Sequence, residues 1–156
     1  MAAKLLLDEM LRRTATWCRI LGIDTEILHG KSDSELLERA GKEDRILVTR
    51  DMELSLRCEK RQVKCIFVRS DKPEEQIAQI IRESGAKTTF PEAILCPACN
   101  GELEVVDVSA VEAVVPPNVL ATQKKFWKCK SCGKAYWEGS HWRNITKFYE
   151  KVRALL

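Results

Sequence analysis

Four short strand-like runs, each followed by a segment with helical spacing, constrain this chain more than any other feature. The runs are Lys4 to Leu7, Ile23 to Leu28, Arg45 to Thr49 and Val63 to Val68. Within the third, Ile46, Leu47 and Val48 are unbroken apolar residues, the kind that fits a strand covered by helices on both faces. After the first run, Met10, Leu11, Trp17, Cys18, Ile20 and Leu21 recur at roughly helical spacing, and Gly22 supplies a stop. After the second, Ser32 and Glu35 have the spacing of a capping box, with Leu36 and Leu37 turned inward and Gly41 expected to end the helix. Asp51 opens a third helix, to about Lys60. Asp71 and Pro73 open a fourth, which carries Gln76, Ile77, Ile80 and Ile81 and stops at Gly85. Such alternation with short connections calls for right-handed crossovers and an α/β fold, a parallel sheet with helices on both faces.

The 156 residues allow one domain of ordinary size and a small appendage. We place the first unit at residues 1–90 and the second, smaller one at 91–156. No apolar run approaches the ~20 residues needed to span a bilayer, and Lys4 with Leu5 to Leu7 is too short for a signal-peptide core. No membrane association is expected; the protein reads as intracellular and cytoplasmic. The net charge of +3 is unevenly placed. Residues 1–95 hold 17 basic and 17 acidic side chains, whereas residues 96–156 hold 9 and 6, with every one of those nine at or after Lys124. Four thiolates on one Zn²⁺ would add about −2 there, so charge alone supports an acidic polymer as partner only weakly.

In open parallel sheets, ligands bind at the C-terminal edge of the strands. Asp8 ends the first run, Asp51 lies just past the third, and Asp33 starts the helix after the second. Three carboxylates drawn to one edge would repel one another unless a divalent cation bound them, and Mg²⁺ or Mn²⁺ suits an all-oxygen site. Taken singly, Asp33 could instead assist a helix N-terminus, and Asp51 and Asp71 could be N-caps. Glu9, Glu35, Glu53 and Asp71 are near enough to support the set, and either Glu53 or Asp71 could be a fourth ligand.

Cys96-Pro-Ala-Cys99 and Cys129-Lys-Ser-Cys132 are two C-x-x-C knuckles, with Gly101 and Gly133 placed for tight turns. Paired knuckles read as a closed tetrahedral Cys₄ zinc site, with no position left for catalysis. Two redox pairs fit less well, because neither knuckle follows a strand and opens a helix. Cys18, Cys58 and Cys65 occupy core-like positions. The segment between the knuckles is long for a ribbon: Pro116-Pro117-Asn118 marks a turn, and Val105 to Val115 fits strand or irregular chain. Trp127, Tyr136 and Trp137 are read as the small core of this unit or as the rings that dock it. Alternatively, rings here could stack on unpaired bases while Lys124, Lys125, Lys128, Lys130, His141, Arg143 and Lys147 meet phosphates. Ile145 to Leu156 is expected to be a closing helix, with Phe148, Val152 and Leu155 on one face.

The succession LLLDEM, SDSELLERA and RILVTRDMEL resembles PIN-like nucleases. With the paired knuckles and EGSHW, nearly the whole chain is similar to the PIN-like RNase domain found at the C-terminus of the Mut-seven exonuclease. That resemblance implies a PIN-like α/β nuclease domain followed by a Cys₄ zinc ribbon. It implies hydrolysis of RNA with a divalent metal, and puts Asp8, Asp33 and Asp51 on the family's acidic positions. The expected activity is therefore a Mg²⁺- or Mn²⁺-dependent ribonuclease with structural Zn²⁺ and RNA as partner. Two rivals remain at this level. One is a non-catalytic RNA-binding or adaptor module. The other is a phosphotransfer-like receiver, which would need a partner Lys at a strand end that the chain does not obviously offer.

Overall fold

The computed structural model describes residues 2–156. Strands β1 (Lys4–Leu7), β2 (Asp24–Ile27), β3 (Ile46–Thr49) and β4 (Cys65–Phe67) form one sheet in the order β2-β1-β3-β4. All three pairings are parallel. The helices are α1 (Arg12–Ile20), α2 (Asp33–Glu43), α3 (Met52–Arg61) and α4 (Pro73–Ser84). Side-chain alternation along the strands separates two apolar layers. Leu5, Leu7, Val48 and Ile66 meet Leu11, Ala15 and Cys18 beside α1, and Ile77 and Ile80 of α4. On the other face Leu6 and Leu47 meet Leu36, Leu37 and Ala40 of α2, and Leu54 and Cys58 of α3. Helices cover both faces, as the short apolar runs require.

Several boundaries differ from expectation, each for a local reason. The first helical segment opens as a 3₁₀ turn, Glu9–Leu11, because the Asp8 side chain accepts the Met10 N–H. Helix α2 has the expected capping box but runs through Gly41. It stops at Asp44, which takes the left-handed conformation at φ 53° and lets Arg45 N–H return to the Ala40 carbonyl. Helix α4 is capped by Lys72 rather than Asp71.

Beyond residue 85 the chain builds an antiparallel three-stranded sheet, β5 (Leu103–Val106), β6 (Phe126–Cys129) and β7 (Ala135–Trp137), in the order β5-β6-β7. The long segment between β5 and β6 forms a 3₁₀ turn, Val108–Ala110, and the short helix α5 (Pro117–Thr122). It folds back to bury Val111 and Val115 against Phe126, which gives this unit its own small core. The last helix, α6 (His141–Ala154), returns to the first layer. Val152 is buried there, and Phe148 stacks on Trp17 of α1 at 3.8 Å between ring centroids. Leu155, expected on the same face, is 44% exposed.

Gly22 marks where the linker crosses the end of α1. Its φ is +90°, and a Cβ there would overlap the Thr89 hydroxyl, whose backbone N–H is bonded to the Leu21 carbonyl. Gly22→Ala is expected to lower stability by about 2 kcal/mol or more through strain and displacement of residues 89–93. Urea unfolding in buffer with Zn²⁺ added measures this, and an unchanged midpoint would refute it.

Candidate active site and metal centre

In this strand order the chain leaves β1 toward β2, then crosses back past β1 to β3, so β1 and β3 flank the topological switch point. Their following helices, α1 and α3, lie on opposite faces, which opens a crevice at the C-terminal edge. Asp8 and Asp51 lie at that edge. The ladder runs on to Asp8, whose N–H donates to the Val48 carbonyl at 3.0 Å.

Thr49, fully buried at the end of β3, joins the two acids. Its hydroxyl donates to Asp8 Oδ2 at 2.9 Å and accepts the Asp51 N–H at 2.9 Å. Asp51 Oδ1 in turn accepts the Glu53 and Leu54 N–H groups and caps α3. Capping and site formation are thus compatible in Asp51, which keeps its Oδ2 free of protein donors among the described residues. Neither Asp8 nor Asp51 has a Lys, Arg or His within 4.0 Å among those residues. The Thr49 hydroxyl holds Asp8 by its carboxylate and Asp51 through its backbone N–H. The two half-buried carboxylates, with no Lys, Arg or His within that distance among the described residues, offer hard oxygens of the kind that suit a divalent cation.

Asp33 occupies the first turn of α2 on the same edge, but its Oδ2 is 3.6 Å from Arg57 Nη1 of α3. Asp33 therefore has a cation where Asp8 and Asp51 have none, and the three do not form a group with ligand atoms within 4.8 Å of one another. Glu9 is engaged as well. It accepts from Gly30 N–H and lies 3.3 Å from His29 Nδ1 and 3.7 Å from Arg12 Nη2. The Gly30 N–H, aided by His29 and Arg12, holds its carboxyl below the usual range. Asp71 shares a hollow of about 230 Å³ with Arg13 and Arg50, and Glu53 is exposed in the first turn of α3. Neither is drawn to the Asp8–Asp51 pair as an obvious fourth ligand. Sequence reasoning passed over Thr49. Its signal was a hydroxyl residue closing an apolar run two positions before an aspartate.

The four knuckle cysteines converge. Cys96, Cys99, Cys129 and Cys132 have sulfurs all within 4.8 Å of one another, the one such group of His, Cys, Asp or Glu among the described residues. Cys96 and Cys132 are 3.7 Å apart and Cys99 and Cys129 3.4 Å apart, close to the ~3.8 Å edge of a tetrahedron with ~2.3 Å Zn–S bonds. The thiols fit zinc. Burial pushes the Cys129 thiol up, but the N–H groups of Cys132 and Ser131, each 3.4 Å from its sulfur, outweigh it and bring the group down to about 6. Burial pushes the Cys99 thiol the other way, up to about 12. Tyr136 lies with its hydroxyl 3.0 Å from Cys96 Sγ, an orienting contact.

The first knuckle is sewn to the edge strand of the parallel sheet. Asn100 accepts the Thr25 N–H and donates to Asp24, and Arg19 donates to the Pro97 carbonyl. Burial pushes the Asp24 carboxyl up, but hydrogen bonds from Asn100 and Arg45 outweigh this, leaving it below the usual range. A lowered folded value means stability present above the unfolded value, ~3.9, and lost as pH falls through the folded one. Asp24→Asn is therefore expected to cost stability at neutral pH, and the gap from wild type to close below about pH 4. Denaturant midpoints across pH measure it; a gap independent of pH would refute it.

Of the basic residues expected to meet phosphate, Lys124, Lys125, Lys130, His141 and Arg143 are exposed and Lys128 is half-buried. Lys130 pairs with Glu102 at 3.3 Å. Lys125 Nζ lies 4.9 Å over the Trp127 ring, and Trp127 stacks with Trp142, which His141 and Arg143 flank. Trp127 thereby docks the ribbon on α6, and Trp137 packs on the ribbon core. Cys18 and Cys58 are buried as expected, and burial raises both to about 12. No helix among the described residues is long and apolar enough to cross a membrane.

A model of the Mut7-C RNAse domain family matches residues 3–149. No curated protein and no solved structure matches the chain.

Proposed function

This chain belongs to the Mut7-C RNAse domain family, and on that premise we propose that it is a metal-dependent ribonuclease that hydrolyses RNA phosphodiester bonds. Asp8, Asp33 and Asp51 would hold Mg²⁺ or Mn²⁺. A bound ion of this kind lowers the pKa of its water and offsets charge developing on the phosphate. The observation that carries the reading is the Asp8–Thr49–Asp51 bridge at the switch point, two carboxylates without a basic partner. Thr49 orients the Asp8 carboxylate through its hydroxyl proton and holds the Asp51 backbone through its acceptor lone pair. The Glu53 and Leu54 N–H groups fix the Asp51 carboxylate, so both acids are positioned before anything binds. Cys96, Cys99, Cys129 and Cys132 hold a structural Zn²⁺ in this reading. Lys124, Lys125, Lys128, Lys130, His141 and Arg143 supply further cationic or hydrogen-bonding contacts to RNA.

Labelled single-stranded and hairpin RNA incubated with Mn²⁺, Mg²⁺ or EDTA tests the proposal. Cleavage with a divalent ion and none in EDTA is expected. Binding without cleavage under any metal would replace it with the adaptor reading, which the Asp33–Arg57 pair favours, since it ties up one of the three acids.

A further inference from the structure

We propose that the cleft between α1, β2 and the first cysteine knuckle binds the phosphodiester backbone of single-stranded RNA. The inference rests on RNA being the substrate and adds where the strand is held. The cleft has a volume of about 410 Å³, within the usual range of ligand clefts, roughly 300–1,000 Å³. Arg12, Thr16 and Arg19 come from α1, Ile27 and His29 from β2 and its following loop, and Pro97 and Ala98 from the knuckle.

The decisive residue is Arg19. The fold buries two arginines, and they are treated differently. Arg45 is 8% exposed and has Asp24 and Glu43 as carboxylate partners. Arg19 is 5% exposed, and its guanidinium meets only the carbonyls of Thr25 and Pro97, with no carboxylate within 4.0 Å among the described residues. Those carbonyls and the C-terminal end of α1 orient the group but do not neutralise it. A buried charge left uncompensated is costly, and an anion that enters from the cleft supplies the missing partner. Its Nη2 has no protein acceptor among the described residues and is not sealed from solvent.

Two further groups extend the cleft toward Asp8. Arg12 and His29 stand at the cleft with Glu9 beside both, and Glu9 directly follows Asp8. Glu9 offsets one of the two arginine charges, and the cleft remains cationic. Ile27, Pro97 and Ala98 give it apolar surface for a sugar or base. A groove that combines cations with apolar wall suits an unpaired strand better than a small free anion. On the ribbon, Lys134 lines a hollow of about 440 Å³ with Tyr136 and Trp137 but brings it a single cation, and Lys130 is already paired with Glu102.

The test is fluorescence anisotropy of labelled oligouridylate RNA with zinc-loaded protein in a buffer free of divalent ions, so that no cleavage is needed. Arg12 and His29 side chains are 67% and 55% exposed, so their replacement spares the fold. Arg12→Ala/His29→Ala is expected to weaken binding about tenfold, and Arg12→Ala alone to reduce the salt slope by about 0.7. Lys124→Ala/Lys125→Ala is expected to weaken it less. Millimolar inorganic phosphate at matched ionic strength is expected not to displace the strand. Unchanged affinity in the Arg12/His29 variant, or displacement by phosphate, overturns this inference and leaves the ribonuclease reading standing. A wild type that binds no RNA overturns both, whereas binding without later cleavage removes only catalysis.

Discussion

Asp51→Asn is expected to lower RNA cleavage by about a thousandfold or more while the protein stays folded and loaded with zinc. Asparagine is isosteric and caps helices as well as aspartate does, so its Oδ1 keeps the N–H groups of Glu53 and Leu54. What disappears is the charge at Oδ2 that would hold a divalent ion, and loss of one preorganised electrostatic group alone costs about 10²–10³ in rate. Asp8→Asn should act alike, because the Thr49 hydroxyl can turn to suit an amide. Cleavage rates, with zinc content and thermal unfolding measured on the same samples, make the comparison. Wild-type rates in both folded variants would show that the acids at the switch point are not the catalytic set.

If the four thiols hold zinc as proposed, stripping it is expected to unfold the ribbon. Its apolar core comprises only Val111, Val115 and Phe126 as buried residues, too little to hold an antiparallel sheet without a staple. Structural zinc supplies about 10–16 kcal/mol in comparable small units at neutral pH. The loss should spread, since Asn100 and Pro97 bind the edge strand and Trp127 stacks on α6. Chelation, or Cys99→Ser, should therefore release one zinc per chain, redden Trp emission and lower the melting temperature of the remainder. A chelated protein with an unchanged fluorescence spectrum and melting point would show that the four thiols do not staple the fold.

The parallel sheet was legible because its strands are buried on both faces, so Leu5–Leu7 and Ile46–Val48 announce themselves without any pairing information. The knuckles were legible because thiolate geometry demands close spacing. Helix ends were less so. Gly41 looked like a stop, yet a glycine is tolerated inside a helix, and Asp44 could take the left-handed position instead. The segment between β5 and β6 was opaque because its valines make sense only once folded onto Phe126. Within the site, Asp8 and Asp51 could be placed by following strand ends. The Thr49 link to Asp8, the Arg57 partner of Asp33 and the lone charge of Arg19 could not, since each depends on contacts between residues distant in the chain or on the fold around them.

Helix α6 also sets an order of assembly. At synthesis rates of about 5–20 residues per second, several seconds separate α4 leaving the ribosome from Phe148 and Val152 following it. Through that interval Trp17 and the outer side of α1 lack their cover. The nascent chain thus acquires its cysteines, and the opportunity to take up metal, before its earliest-made layer can close.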